Sequence, residues 1–135
     1  MKIRHANKTD FSWLKENDAH ISEDTLKTKI NCKEIYIAEV DNKNIGWLRY
    51  SLFWDNIPFM NLIYFFDEYR HKGYGKKLVE YWENEMGQKG HKKVLTSTLS
   101  NEEAQHFYRK LSYKEIGGFK LEEEAYEIIF HKNLP

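Results

Sequence analysis

Six consecutive residues, Arg70, His71, Lys72, Gly73, Tyr74 and Gly75, have the composition of an anion-binding turn. They follow an apolar, aromatic-rich run from Phe59 to Phe66 and precede an amphipathic helical pattern. The order is strand, tight basic glycine turn, helix. A helix start leaves backbone N–H groups without intrahelical acceptors and carries the positive end of the macrodipole, and both favour a phosphate. The glycines let the chain turn tightly and approach an anion closely. An ordinary surface turn rich in charge would use similar residues, so a lone Arg-x-x-Gly-x-Gly does not decide between the two.

Other chemistries find less support. A nucleotide-binding P-loop needs Gly, four residues, Gly-Lys and then Ser or Thr. Here Lys77 follows Gly75-Lys76, so the hydroxyl that would hold magnesium is missing. His5, His20, His71, His91, His106 and His131 are scattered without paired ligand spacing, and no metal site is expected. Lys plus Arg and Asp plus Glu number 21 each, a balance that argues against a duplex nucleic-acid binder. Cys32 is the single cysteine, so no intramolecular disulfide can form; it reads as structural, in a reducing compartment. The start, MKIRHANKTD, lacks the apolar core of a signal peptide, and no run approaches the roughly 20 apolar residues of a membrane span. A soluble cytoplasmic protein without a membrane partner is expected.

The chain has 135 residues, enough for one ordinary domain with a real core, and 41% of them are hydrophobic, which excludes a disordered chain. Lys2 to Ala6 is a short strand candidate, and Asn7 to Asp10 supplies N-cap chemistry for a helix through Phe11, Trp13 and Leu14. A second helix starts at Ser22, with Leu26 and Ile30 on one face. Glu34 to Val40 and Ile45 to Trp54 read as strands joined by the hairpin signal Asp41 to Asn44. Asp55 to Pro58 turns the chain into the run that ends at Phe66. From Gly75 a helix aligns Leu78, Val79, Trp82 and Met86, and should stop near Gly87 to Gly90. Lys93 to Leu99 is a strand, and Asn101 can cap a helix to about Leu111 with Ala104, Phe107, Tyr108 and Leu111 on one side. Tyr113 to Phe119 and Ala125 to His131 are the last strands, and Gly117 and Gly118 mark a bulge or strand end. There is no internal repeat or linker. One α/β (α+β) domain is expected, with a mostly antiparallel sheet because its early strands are joined by short turns.

Two units in order carry a family resemblance. The first is the strand, Arg70-His71-Lys72-Gly73-Tyr74-Gly75, helix unit. The second is a strand followed by Asn101-Glu102-Glu103-Ala104-Gln105-His106-Phe107-Tyr108. Together they resemble the acetyl-CoA motif and the Asn-x-x-Ala-x-x-Phe-Tyr helix of the GCN5-related N-acetyltransferase (GNAT) family. The order of strands and helices fits too, so the resemblance covers essentially the whole chain.

The resemblance implies a single acetyl-CoA-dependent N-acetyltransferase domain over residues 1–135, with strands splayed at the CoA site. It assigns the pyrophosphate to the turn Arg70, His71, Lys72, Gly73, Tyr74 and Gly75 and to the helix start at Lys76. A bound pyrophosphate would also relieve the unfavourable dipole at Lys76 and Lys77. Ile63, Tyr64 and Phe65 would offer backbone hydrogen bonds to the pantetheine arm, and Asn101 would contact the arm through its side chain. Tyr108 would be the catalytic acid. An amine that attacks a thioester expels a thiolate, and a phenol of ordinary pKa near ~10 can hydrogen-bond the sulfur and protonate it. Taken alone, a tyrosine on an apolar helical face more often belongs to a core; Asn101, Ala104 and Phe107 reverse that preference. His106 points elsewhere on the helix.

The chain departs from the family pattern in places. The strand matching Phe59 to Phe66 has no Glu for a general base; Asn61 is its only polar side chain apart from Tyr64, so water or another strand is left as the base. Asp67 stands where Pro is frequent, and Ser112 where Gly is frequent before an aromatic residue. The missing carboxylate keeps open a non-catalytic CoA-binding sensor or interaction module; the phenol of Tyr108, which binding alone does not need, argues for turnover. Trp47, Tyr50, Phe53 and Trp54 lie in segments that shape the acceptor site in the family and suggest an aromatic-walled cleft. Glu122 to Glu124 could attract a cationic amine. A small-molecule amine or a peptide amine is the expected acceptor, and dimers, common in the family, could form through the late strands.

Overall fold

The computed structural model describes residues Met1–Pro135. The elements in chain order are β1 (Lys2–His5), α1 (Phe11–Asn17), α2 (Glu23–Asn31), β2 (Ile35–Val40), β3 (Lys43–Phe53), β4 (Ile57–Phe65), α3 (Tyr74–Gln88), β5 (Lys93–Leu99), α4 (Ala104–Lys110), β6 (Lys114–Lys120) and β7 (Tyr126–Asn133). The seven strands form one sheet in the order β1-β2-β3-β4-β5-β7-β6. It is mostly antiparallel, with β4 and β5 parallel. No helix is long and apolar enough to cross a membrane. Residues group into two compact units, Met1–Tyr50 with Leu62–Leu78, and Ser51–Asn61 with Val79–Pro135.

In the first unit, Asn7 accepts from the Thr9 backbone N–H at 2.9 Å and the Asp10 carboxylate accepts from the Asn7 N–H at 2.8 Å, a reciprocal cap that starts a 3-10 turn leading into α1. Ser22 Oγ caps α2 by accepting from the Thr25 N–H. The core joins Ala6, Leu14, Leu26, Ile30, Ile35, Ile37 and Trp47, with Phe11, Trp13, Ile21, Leu62 and Phe66 packed against it. Each fully buried aliphatic side chain there contributes about 1.5–3 kcal/mol. The β2–β3 hairpin turns at Asp41 and Asn42, both in the left-handed region, as its tight connection requires. One buried ion pair ties the end of α1 to β3. The Asp18 carboxylate accepts from Arg49 Nε at 2.7 Å, Arg49 Nη2 at 3.3 Å and Trp47 Nε1 at 3.1 Å.

In the second unit, the β3–β4 hairpin turns at Trp54 and Asp55, again with positive φ at both positions, and the Asn56 N–H donates to the Phe53 carbonyl. Val79, Trp82 and Met86 form the buried stripe of α3. That helix stops at Gly90, in the left-handed region, with the His91 N–H on the Met86 carbonyl. The β4–β5 ladder joins Phe59 to Leu95 and Met60 to Thr96, whereas β5 pairs with β7 along its full length. β6 carries the expected bulge, a register shift between Glu115 and Gly117. Gly118 is obligatory for packing, because an added Cβ would lie 2.1 Å from the Glu127 carbonyl oxygen.

The structure corrects two expectations about these elements. Asn101 is not the cap of α4, which begins at Ala104 after a stretch of turns and has Glu103 at its N-cap without a side-chain hydrogen bond. Asn favours turns as well as caps, and here the Glu102 N–H donates to the Leu99 carbonyl while Gln105 Nε2 donates to the Ser100 carbonyl at 2.7 Å. Cys32, read as structural, is exposed at the end of α2.

Candidate active site

The basic turn belongs to the first unit. β4 ends at Phe65, a 3-10 turn covers Asp67–Tyr69, and α3 begins at Tyr74. His71 and Gly73 both have positive φ, 61° and 84°, so the chain reverses in two steps before entering the helix. The Lys77 N–H donates to the Gly73 carbonyl, which leaves the N–H groups of Tyr74, Gly75 and Lys76 without a helical acceptor. The first turn of α3 contains no acid. His71, Lys72, Gly73, Lys76 and Lys77 are exposed, and Tyr74 and Gly75 are half-buried. An oxyanion approaching this helix start would meet backbone donors and cations without a carboxylate to repel it.

Arg70 does something the sequence did not reveal. Its Nε donates to the Phe65 carbonyl at 2.8 Å, its Nη1 pairs with Asp67 at 2.9 Å, and its guanidinium lies 4.9 Å from the Tyr64 ring centroid. It therefore closes the end of β4 and holds the turn onto it. Lys72 leans on the Tyr69 ring at 5.9 Å. Tyr74 stacks on Phe65, with centroids 6.3 Å apart. Of the three strand residues, Phe65 is buried with its carbonyl engaged by Arg70, Ile63 is half-buried and Tyr64 is exposed.

Tyr108 belongs to the second unit. Its side chain is 5% exposed, packed against Phe107, Tyr113 and Phe130 at centroid distances of 5.3, 5.8 and 6.0 Å. Burial pushes its phenol up to about 12; a hydrogen bond with the Thr96 hydroxyl opposes the rise and the Glu102 charge adds to it. The group is thus a fully protonated phenol near neutrality. Its ring is fixed by the way α4 ends. Ser112 is in the left-handed region, its N–H donates to the Arg109 carbonyl, and the Tyr113 N–H donates to the Tyr108 carbonyl. That double bond pattern is the Schellman stop, and it brings Tyr113 back against Tyr108.

Tyr113 is itself anchored. Its hydroxyl donates to Glu83 Oε2 at 2.7 Å, and Lys132 Nζ donates to Glu83 Oε1 at 3.0 Å. Burial, and then the Glu83 charge and hydrogen bond, push the Tyr113 phenol far up, so it stays a donor. This buried cluster uses residues from α3, the loop after α4, and β7, and no sequence pattern announced it. Asn101 is exposed before α4, and His106 stands 3.9 Å from Glu103, away from the phenol as expected.

The aromatic residues expected around an acceptor divide. Trp47 and Tyr50 are buried and serve the core, contrary to the cleft reading, because alternate β3 positions face the packed side of the strand. Phe53 is 40% exposed and Trp54, at the hairpin tip, is 78% exposed, with ring centroids 4.8 Å apart. The structure brings together no group of three or more His, Cys, Asp or Glu side chains that could hold a metal ion.

The model of the acetyltransferase (GNAT) family matches residues 2–113, and the chain belongs to that family. No curated protein matches the sequence. Among solved structures, a GNAT-family acetyltransferase from Bacillus cereus ATCC 10987 is 23% identical, with 99% of this chain and 97% of that chain covered and a TM-score of 0.79. Ard1 from Thermoplasma volcanium is 12% identical over 99% and 97% of the two chains, with a TM-score of 0.85. The PaiA N-acetyltransferase from Thermoplasma acidophilum, solved in complex with coenzyme A, is 20% identical over 98% of each chain, with a TM-score of 0.71. These likenesses establish the shared fold.

Proposed function

We propose that the whole chain works as one acetyl-CoA-dependent N-acetyltransferase domain that acetylates a primary amine, of a small molecule or a peptide, by direct attack in a ternary complex. The observation that carries this reading is Tyr108, a buried phenol held protonated well above neutrality. Acetyl-CoA would supply the activated acyl group. The turn Arg70 to Gly75 and Lys76 would hold its pyrophosphate, chiefly through backbone N–H groups, with Lys72 adding charge and Arg70 keeping the turn in place. Ile63, Tyr64 and Phe65 would offer backbone groups to the pantetheine arm where the strands part, the Phe65 carbonyl being already engaged by Arg70. Asn101, exposed and free of a capping duty, would contact the arm with its amide. Tyr108 would give its proton to the leaving thiolate. Coenzyme A bound to the PaiA enzyme of the same fold supports the co-substrate. The single cysteine fits work in the reducing cytoplasm, and pairing of two copies through β6 and β7 belongs to the same reading.

The absence of a carboxylate from β4 favours a second reading, a module that binds acyl-CoA without turnover. Thiol release from acetyl-CoA across a panel of amines separates the two. The expected result is acceptor-dependent release that falls about 10²-fold in Tyr108→Phe, with coenzyme A affinity held within about twofold. Tight coenzyme A binding without release on any amine would support the second reading, and full activity in Tyr108→Phe would remove the phenol from the mechanism.

A further inference from the structure

Thr96 sits where β4 and β5 last pair, and it is 1% exposed. Its hydroxyl donates to the Met60 carbonyl at 3.0 Å and also shares a hydrogen bond with the Tyr108 phenol. A hydroxyl has one proton and can accept as well. While its proton is on Met60, the only direction left for the second bond is from the phenol to Thr96. Should Tyr108 lose its proton, the same hydroxyl can rotate about one bond and donate to the phenolate. Nothing else needs to move.

We propose that Thr96 is a positioning residue for Tyr108, a two-way hydroxyl that orients the neutral phenol and then stabilises the phenolate left when the phenol has protonated the departing thiolate. The inference rests on the reading of Tyr108 as the acid. In the step, the amine nitrogen bonds to the acyl carbon, the carbon–sulfur bond breaks, and the sulfur takes the phenol proton. The nitrogen sheds its extra proton to water, and the phenolate later recovers one from water. Proton and charge therefore balance without another reactant. A phenolate in this surrounding has little other help. The charged groups around it are Glu102 ahead of α4, which opposes ionisation, Arg109 stacked 5.0 Å over Phe130 on β7, and Glu83 of α3 behind Tyr113. Arg109 is also drawn to Glu115 at 3.0 Å. Thr96 is the donor that burial has left beside the oxygen.

The test compares Thr96→Val, Thr96→Ser and Thr96→Cys with wild type, alone and combined with Tyr108→Phe. One hydrogen bond to an ionised group corresponds to about tenfold or more. Thr96→Val should cut kcat by about that factor with KM for acetyl-CoA nearly unchanged, and Thr96→Ser should restore most of it. Tyrosinate absorbance, taken as the difference from Tyr108→Phe, should show the Tyr108 ionisation displaced upward by about one unit in Thr96→Val and little in Thr96→Ser. If the valine variant fails to fold, Thr96→Cys, a weak donor of similar size, must show the same two effects. An unchanged ionisation in the folded variants, or an equal rate loss in the Tyr108→Phe background, overturns the proposal. A Tyr108→Phe enzyme of full activity would instead sink the acid assignment, while the ionisation shift would still stand or fall by itself.

Discussion

Gly46 on β3 has a narrower range of replacements than any catalytic candidate. An added Cβ would lie 2.5 Å from Phe65 Cδ1 and 2.6 Å from the Tyr64 carbonyl oxygen. A ring can tilt, but a backbone oxygen in a strand cannot move without its neighbours. Gly46→Ala should therefore cost about 1–3 kcal/mol by overpacking, read as a lower midpoint in urea with an unchanged slope. An unaltered midpoint would mean that the β3–β4 spacing is softer than it looks. The same close approach seats Phe65, whose ring supports Tyr74 at the start of α3. A residue without a side chain thus sets the position of the turn proposed to hold pyrophosphate.

Helix endings explain much of what the elements do. α2, α3 and α4 all stop with a residue of positive φ, respectively Lys33, Gly90 and Ser112, and each is followed by an N–H that reaches five residues back. Only one of the three is glycine. A side chain in that conformation costs roughly 1 kcal/mol relative to glycine. Ser112→Gly should accordingly stabilise the protein by about 0.5–1 kcal/mol, as a higher melting temperature, and leave turnover intact because the Tyr108 to Tyr113 bond is kept. A loss of activity would show that the serine has a duty beyond the turn. The sequence already hinted at this site, since a frequent glycine was replaced there. The Schellman stop itself, and its service in placing Tyr113 against Tyr108, depended on a backbone pattern that residue types alone do not specify.

At the scale of the whole molecule, local chemistry was the legible part. The Asn7 cap, the Asp41–Asn42 hairpin and the glycine turn before α3 each involve residues a few positions apart, and all were readable. What escaped notice joins distant residues. Thr96 meets Met60 across 36 positions, Tyr113 meets Glu83 across 30, and Arg49 meets Asp18 across 31. Trp47 and Tyr50 were assigned to a cleft because alternation along β3 distinguishes two faces but not which of them is covered. The Asp18–Arg49 pair also governs response to acid. Burial pushes the Asp18 carboxyl up, but hydrogen bonds and charge from Arg49, with help from the His20 N–H and Trp47, outweigh it and leave the group below its usual range. Asp10, held by Arg4, behaves in the same way. Their stabilisation is complete above the unfolded carboxyl pKa of about 4 and is lost as pH falls through the lower folded values. Denaturation midpoints should be level from neutrality to about pH 5 and drop below about pH 4. Asp18→Asn should cost about 3–5 kcal/mol at neutral pH, by leaving Arg49 buried without its counter-charge, and should flatten the acid limb. A variant as stable as wild type at pH 7 would remove the pair from the account.

Cys32, exposed at the end of α2, has a practical consequence for every experiment that counts sulfhydryls. It is the chain's one thiol, and a chromogenic disulfide reagent chosen to register liberated coenzyme A will also modify the protein, once per molecule. The signal should begin with a stoichiometric burst that owes nothing to acetyl transfer, and a blank lacking acetyl-CoA should reproduce it. In air the same sulfur can couple two chains covalently, so a doubled mass in an unreduced sample is uninformative until a reducing agent has been added.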